Sequence, residues 1–248
     1  MSETVKIDAR NLACPAPILK VSKNMPNLSD GDIMEVQATD PGFESDIRAW
    51  SERTGNQLLD IKKDGRVLTA RIEKGKAPKA AEVEKAAKVK TKKKKVLVVL
   101  SGDLDKVMAS LIIANGAVSM GYPVSMFFTF WGLNVLRKPE YVPVEKTPME
   151  QMFGLMMPRG AGALKLSKMN MGGLGTLMMK QVMKGHNVLS VEELLKEAME
   201  NGVKLVACQM TMDIMGIKKE ELLDEVEIGG VASMLSDAEE SNVNFFFS

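Results

Sequence analysis

Nine of the twenty-one residues between Gly75 and Lys95 are lysine, two are glutamate, and no apolar side chain there is larger than valine. A stretch that repels itself and offers nothing to bury cannot cross a hydrophobic core, so whatever folds in this chain folds on either side of it. The 248 residues therefore read as a first segment over 1–74, a lysine-rich tether over 75–95 and a second segment over 96–248. The formal charge of +1 hides that division. Residues 1–74 hold 11 basic and 12 acidic groups, the tether 9 and 2, and residues 96–248 hold 13 and 18. Without interleaved aromatic residues, the tether reads as a solvated spacer, and nucleic acid is not expected as the primary partner.

In the first segment, Thr4 to Asp8 alternates as a strand, and Pro15 to Met25 places Ile18, Val21 and Met25 on one helical face before Pro26. Ile33 to Ala38 reads as a second strand. Phe43, Ile47 and Trp50 share a face of a second helix that Gly55 ends. Gln57 to Lys63 and Arg66 to Glu73 form a hairpin around Asp64-Gly65. The order βαβαββ predicts a two-layer α/β sandwich of four strands with both helices on one face.

The second segment opens on Lys95 to Ser101, whose uninterrupted Val-Leu-Val-Val-Leu is typical of a parallel strand buried on both faces. Helices are expected from Leu104, over Val191 to Asn201 and over Ala232 to Glu240, and strands over Val124 to Phe130, Val203 to Ala207 and Val243 to Phe247. Alternating β and α elements predict a doubly wound parallel sheet with its ligand site at the carboxyl edge. Residues 107–136 contain no Asp, Glu, Lys or Arg, long enough to span a bilayer. Gly121-Tyr122-Pro123 divides that run, which favours a buried helix and strand over a membrane span. The Met- and Gly-rich insertion at about 137–187 begins as proline-rich loop and reads beyond it as a flexible flap or a subunit interface. Gly172-Gly173-Leu174-Gly175 within it lacks the preceding strand and following Gly-Lys of a phosphate loop.

Two cysteines and one histidine exclude a zinc finger, a four-cysteine iron–sulfur site and a three-histidine zinc site within one chain. The first ten residues include Glu3 and Asp8 and lack the apolar run of a secretory signal, so the expectation is a reducing cytoplasm. Cys14 precedes Pro15, a residue suited to the first position of a helix. That reading makes Cys14 the helix cap and predicts a thiol pKa lowered by the free N–H groups of the first turn. Cys208 ends an apolar strand at a strand-to-helix turn, with Asp213 nearby to oppose ionisation and no cation in view. His186, beside Lys184-Gly185, reads as a loop residue.

Asp8-Ala9-Arg10, Leu12, Cys14-Pro15-Ala16-Pro17, Lys20, Gly31, Asp40-Pro41, Asp46, Trp50 and Gly55 together resemble the TusA (SirA-like) family of sulfur carriers over about residues 4–74. Residues 95–248 resemble the DsrE/DsrF-like family, in its peroxiredoxin-like branch, through Lys95 to Ser101, Leu205 to Met212 and Gly229-Gly230-Val231. The first resemblance implies that Cys14 carries sulfane sulfur as a persulfide, and the second that Cys208 is the corresponding acceptor or donor. Together the resemblances imply a sulfurtransferase that requires neither a metal nor an organic cofactor, with Asp8, Arg10, Pro15 and Lys20 supporting Cys14, with persulfide donor and acceptor proteins as partners, and with a homo-oligomer formed through the second segment. A Pro-x-x-x-Thr-x-x-Cys pattern is absent around both thiols, so peroxidase activity is not expected. A thiol redox protein and a membrane-associated scaffold with incidental thiols are the alternatives.

Overall fold

A computed structural model describes residues 4–40, 42–75 and 94–248. Nearly all of the lysine-rich tether lies outside the described residues. Two compact units are present, each with its own sheet.

The first unit runs β1 (Thr4–Ala9), α1 (Ala16–Asn24), β2 (Ile33–Ala38), α2 (Phe43–Thr54), β3 (Gln57–Asp64) and β4 (Val67–Glu73). Its sheet has the order β1-β2-β4-β3, with β1 parallel to β2 and the other pairs antiparallel. Alternation puts Met34, Val36 and Ala38 of β2 and Leu68, Ala70 and Ile72 of β4 on the buried face. Ile18, Val21 and Met25 and then Phe43, Ile47 and Trp50 join them in one core. This is the two-layer sandwich that the periodicities predict. The hairpin turn sits one residue later than expected: Asp64 pairs with Val67, and Gly65, at φ 58, opens the turn. Phe43 is fully buried. Phe43→Ala should cost about 3–5 kcal/mol of this unit's stability, read as a lower urea midpoint.

The second unit comprises β5 (Lys94–Val99), α3 (Leu104–Ser119), β6 (Val124–Phe128), α4 (Pro148–Met156), α5 (Leu174–Gly185), α6 (Val191–Glu200), β7 (Lys204–Cys208), α7 (Gln209–Met215), β8 (Glu227–Gly229), α8 (Val231–Glu239) and β9 (Ser241–Phe247). All strands are parallel, in the order β8-β7-β6-β5-β9. Val96, Val98, Phe127, Val206 and Cys208 form one cluster, on which Met234 of α8 packs. Leu97, Met126, Phe128, Leu205 and Ala207, the alternate residues, are buried as well. Burial on both faces is why these strands read as continuous apolar runs. Asn115 of α3, itself buried, donates to the Leu194 carbonyl of α6 at 2.9 Å and joins those helices. At the amino ends of the strands, Asp237 pairs with Lys94 and accepts from Ser125 at 2.7 Å.

The uncharged run at 107–136 is divided between α3, β6 and a 3₁₀ turn at Phe130–Leu136. Among the described residues no helix is long and apolar enough to cross a membrane, so the scaffold alternative loses its main support. The Met-rich insertion is more ordered than a flap. Thr147 and Glu150 cap α4 reciprocally, with Pro148 in the first turn. Met149, Met152, Met156 and Met178 of α4 and α5 are exposed.

Candidate functional site

Cys14 sits on the connection between β1 and α1. Asn11, at φ 61, turns the chain and donates its N–H to Thr39 Oγ1 at 2.8 Å. Asp8 accepts three hydrogen bonds from Arg10, through the backbone N–H (3.0 Å), Nε (2.9 Å) and the terminal guanidinium nitrogen (2.8 Å). This clamp holds the Asp8 carboxyl far below the usual carboxylate range. Lys20, from α1, donates to the Asp8 carbonyl at 3.0 Å and ties the helix to the end of β1. Arg10 and Lys20 are thus engaged with Asp8, as parts that shape the loop.

The expected cap at Cys14 is not what forms. Pro15 takes the cap position, α1 begins at Ala16, and Pro17 lies in the first turn. Cys14 stands one residue outside the helix, exposed on the loop. Its thiol is pushed up to about 11, first by desolvation around the sulfur, then by the charges of Asp46 and Asp40 and a hydrogen bond to Asp46. The direction is opposite to the lowered value expected from a helix N-terminus. Asp46 is itself raised, by desolvation and by Asp40. Desolvation and two carboxylates, brought in by the loop before α2 and by its first turn, set this direction.

Cys208 lies at the carboxyl end of β7, where α7 begins, and is 6% exposed. Burial alone would raise this thiol. The hydroxyl and N–H of Thr211, the hydroxyl of Thr129 and the N–H of Met210 outweigh that effect and bring it below the ordinary cysteine value. Dipoles stabilise this thiolate, and the nearby Asp213 is bonded to Gln209 Nε2 at 2.8 Å. The cradle is held together from two strand ends. Thr129 and Thr211 hydroxyls lie 2.8 Å apart, the Phe130 N–H donates to Thr211 Oγ1 at 3.2 Å, and the Thr129 N–H donates to the Val99 carbonyl at 3.0 Å. Gly132 lets this loop approach β5: a Cβ there would sit 2.3 Å from the Val99 carbonyl oxygen.

Beside the cradle is a cavity of about 510 Å³ at the carboxyl edge, lined by Ser101, Asp103, Lys106, Phe130, Trp131 and Asn134, among others. Cys208 is not on its wall, and Phe130 connects the two through Thr211. His186 is exposed just beyond α5. Among the described residues no group of three or more His, Cys, Asp or Glu could hold a metal ion. Thr129 and Thr211 escaped the sequence reading. Thr211 had a local signal, three residues after a strand-ending cysteine at a helix start; Thr129 had none.

Residues 91–246 match the model of the DsrE/DsrF/DrsH-like family, and residues 5–74 match that of sulfurtransferase TusA. The uncharacterized protein YrkE of Bacillus subtilis is 55% identical over 154 residues, covering 62% of this chain and 96% of its own. The sulfur carrier protein DsrE2 of Allochromatium vinosum is 39% identical over 155 residues, 61% of this chain and 96% of its own. The sulfur carrier protein TusA of the same organism is 42% identical over 60 residues, 24% of this chain and 79% of its own.

Proposed function

Since the chain belongs to the DsrE/DsrF/DrsH-like family and carries a TusA segment ahead of that region, we propose that it is a sulfur carrier that holds sulfane sulfur as a persulfide on Cys14 and on Cys208. The observation that carries this reading is the opposite tuning of the two thiols: Cys208 lowered by the hydrogen bonds of its Thr129–Thr211 cradle, Cys14 raised by desolvation and by two carboxylates. A thiolate is the nucleophile in sulfur exchange. Cys208 is therefore the readier attacker of the two. Its sulfur attacks the outer sulfur of a Cys14 persulfide, in the same chain or another copy. One S–S bond forms to Cys208 as the bond between Cys14 and the outer sulfur breaks.

Cys14 leaves with the electron pair, and a leaving thiolate of high proton affinity departs slowly unless it is protonated. Asp46 is hydrogen-bonded to that sulfur and holds a proton more readily than an ordinary carboxyl. It serves as the acid when Cys14 leaves and as the base when Cys14 takes sulfur from a donor. Oxidation state is conserved at every step, so the transfer needs no cofactor. Persulfide donor and acceptor proteins are the partners, and the exposed Met-rich helices support association of the second unit with further copies. Both cysteines are free thiols, as a carrier requires.

Intact-mass analysis after incubation with a persulfide donor tests the reading. One added sulfur is expected first on Cys14 and later on Cys208. Cys14→Ser should abolish the first and delay the second, whereas Cys208→Ser should trap sulfur on Cys14. Unchanged loading in Cys14→Ser would sink the assignment of Cys14.

A further inference from the structure

We infer that a second cavity in the DsrE-like unit, whose lining includes neither thiol, binds a small dianionic oxyanion. The cavity measures about 130 Å³ and is lined by Tyr141, Lys146, Gln151, Arg159 and Glu221, with apolar wall from Val142, Val144 and Leu155. A space of this size admits a tetrahedral oxyanion.

Charge identifies the occupant. Glu221 is 1% exposed and faces three cations: Arg137 at 3.2 Å, Arg159 at 3.4 Å, and Lys146. It is the only carboxylate among the described residues that forms an ion pair with any of them. Glu150, on α4, is paired with Lys218 at 2.8 Å. One negative charge thus stands against three positive ones, in a place where the Arg137 side chain is fully buried, Lys146 is 6% exposed and Arg159 19%. Buried like charges repel strongly at low dielectric, and a lone carboxylate cannot neutralise this group. An excess of two positive charges calls for a dianion.

The donors fit that charge. Arg137 is not on the cavity wall and acts there only through its charge on Glu221. Arg159 is splayed over the Tyr141 ring at 5.2 Å from its centre, so that its long 3.4 Å bond to Glu221 leaves most of its fork unused. A guanidinium fork matches two oxygens of a sulfate-like anion, while an ammonium beside it acts as a point charge. The apolar walls limit water and strengthen both. Sulfate, phosphate and thiosulfate share the required chemistry, and comparing them separates the sources. The inference stands on charge and cavity alone and does not depend on the persulfide reading.

Calorimetric titration of the full chain tests it, in a Cys14→Ser/Cys208→Ser background so that thiosulfate finds no thiol. Sodium sulfate, phosphate and thiosulfate are each added against sodium chloride at matched ionic strength. Saturable one-to-one binding of at least one dianion is expected, and the tightest names the ligand. Arg159→Gln, the least buried of the three cations, should weaken binding at least tenfold, and Arg159→Lys should restore part of it. Lys106→Gln, which removes a cation from the larger cavity at the sheet edge, should leave it unchanged. Circular dichroism confirms that the variants are folded. Absence of saturable binding by all three anions would overturn the inference, as would binding indifferent to Arg159→Gln or lost in Lys106→Gln.

Discussion

The Cys208→Ser protein, whose remaining thiol is Cys14, will release its thiol proton near pH 11, and the Cys14→Ser protein will release its own below the ordinary cysteine value of 9.0. The chain has two cysteines, so each single variant leaves one thiol to titrate by the ultraviolet absorbance of its thiolate. A separation of two units or more corresponds to at least about a hundredfold difference in thiolate fraction at neutral pH. Further substitutions assign the causes. Thr211→Val in the Cys14→Ser protein removes a hydroxyl donor and should move Cys208 upward. Asp46→Asn in the Cys208→Ser protein removes a charge and a hydrogen-bonded carboxylate and should move Cys14 downward, with desolvation and Asp40 still holding it above 9.0.

Asp46→Asn separates thiol acidity from sulfur transfer. Alkylation of Cys14 by iodoacetamide at pH 8 should speed up by about tenfold for each unit the pKa falls. Sulfur exchange at Cys14 should slow, because the amide cannot carry the proton between donor and leaving sulfur. If both rates rise together, Asp46 only depresses ionisation and has no part in the transfer.

The contrast between the thiols also shows which features were legible in the sequence. Backbone layout follows from local periodicity: Met34, Val36 and Ala38 alternate, Phe43, Ile47 and Trp50 recur at helical spacing, and both patterns mark the same core. The continuous apolar runs of β5, β6 and β7 signal a buried parallel sheet for the same reason. Thiol electrostatics follow from neighbours that only the fold supplies. Cys14 borders Pro15, so local logic looks to the helix N-terminus, but its thiol is set by desolvation and by Asp46 and Asp40, about thirty residues on, at the start of α2 and in the loop before it. Thr129 and Thr211, 82 residues apart, meet because β6 and β7 are adjacent and end together. The insertion hid its helices because methionine and glycine carry weak periodicity, although Thr147-Pro-Met-Glu150 spells a capping box. Arg137, Lys146 and Arg159 could not be grouped with Glu221 by spacing, since it reaches them from a turn 84 residues beyond Arg137.

Glu221→Gln should be the most destabilising of the conservative substitutions considered, costing about 3–5 kcal/mol, because it leaves Arg137 buried without a countercharge. That is a large share of the ~5–15 kcal/mol typical of a whole domain, and urea unfolding of the second unit measures it. The pH dependence follows from the same contact. Burial acts to raise the Glu221 carboxyl, but Lys146, the Lys218 N–H and Arg137 prevail and hold it below its ordinary 4.5. A carboxyl with a folded-state pKa below its unfolded value contributes stability that is fully present above the unfolded value and is lost as pH falls through the folded one. The difference in unfolding free energy between the wild-type and Glu221→Gln chains should therefore be flat from pH 7 to about 5 and shrink below that. Asp8, Asp105 and Asp237, also lowered, are common to both chains and cancel in the difference. The titration belongs in chloride, since an oxyanion beside Lys146 and Arg159 would supply part of the countercharge that the variant lacks. A difference that stays constant down to pH 3 would mean that Glu221 holds its place by shape and hydrogen bonding, with its charge contributing nothing.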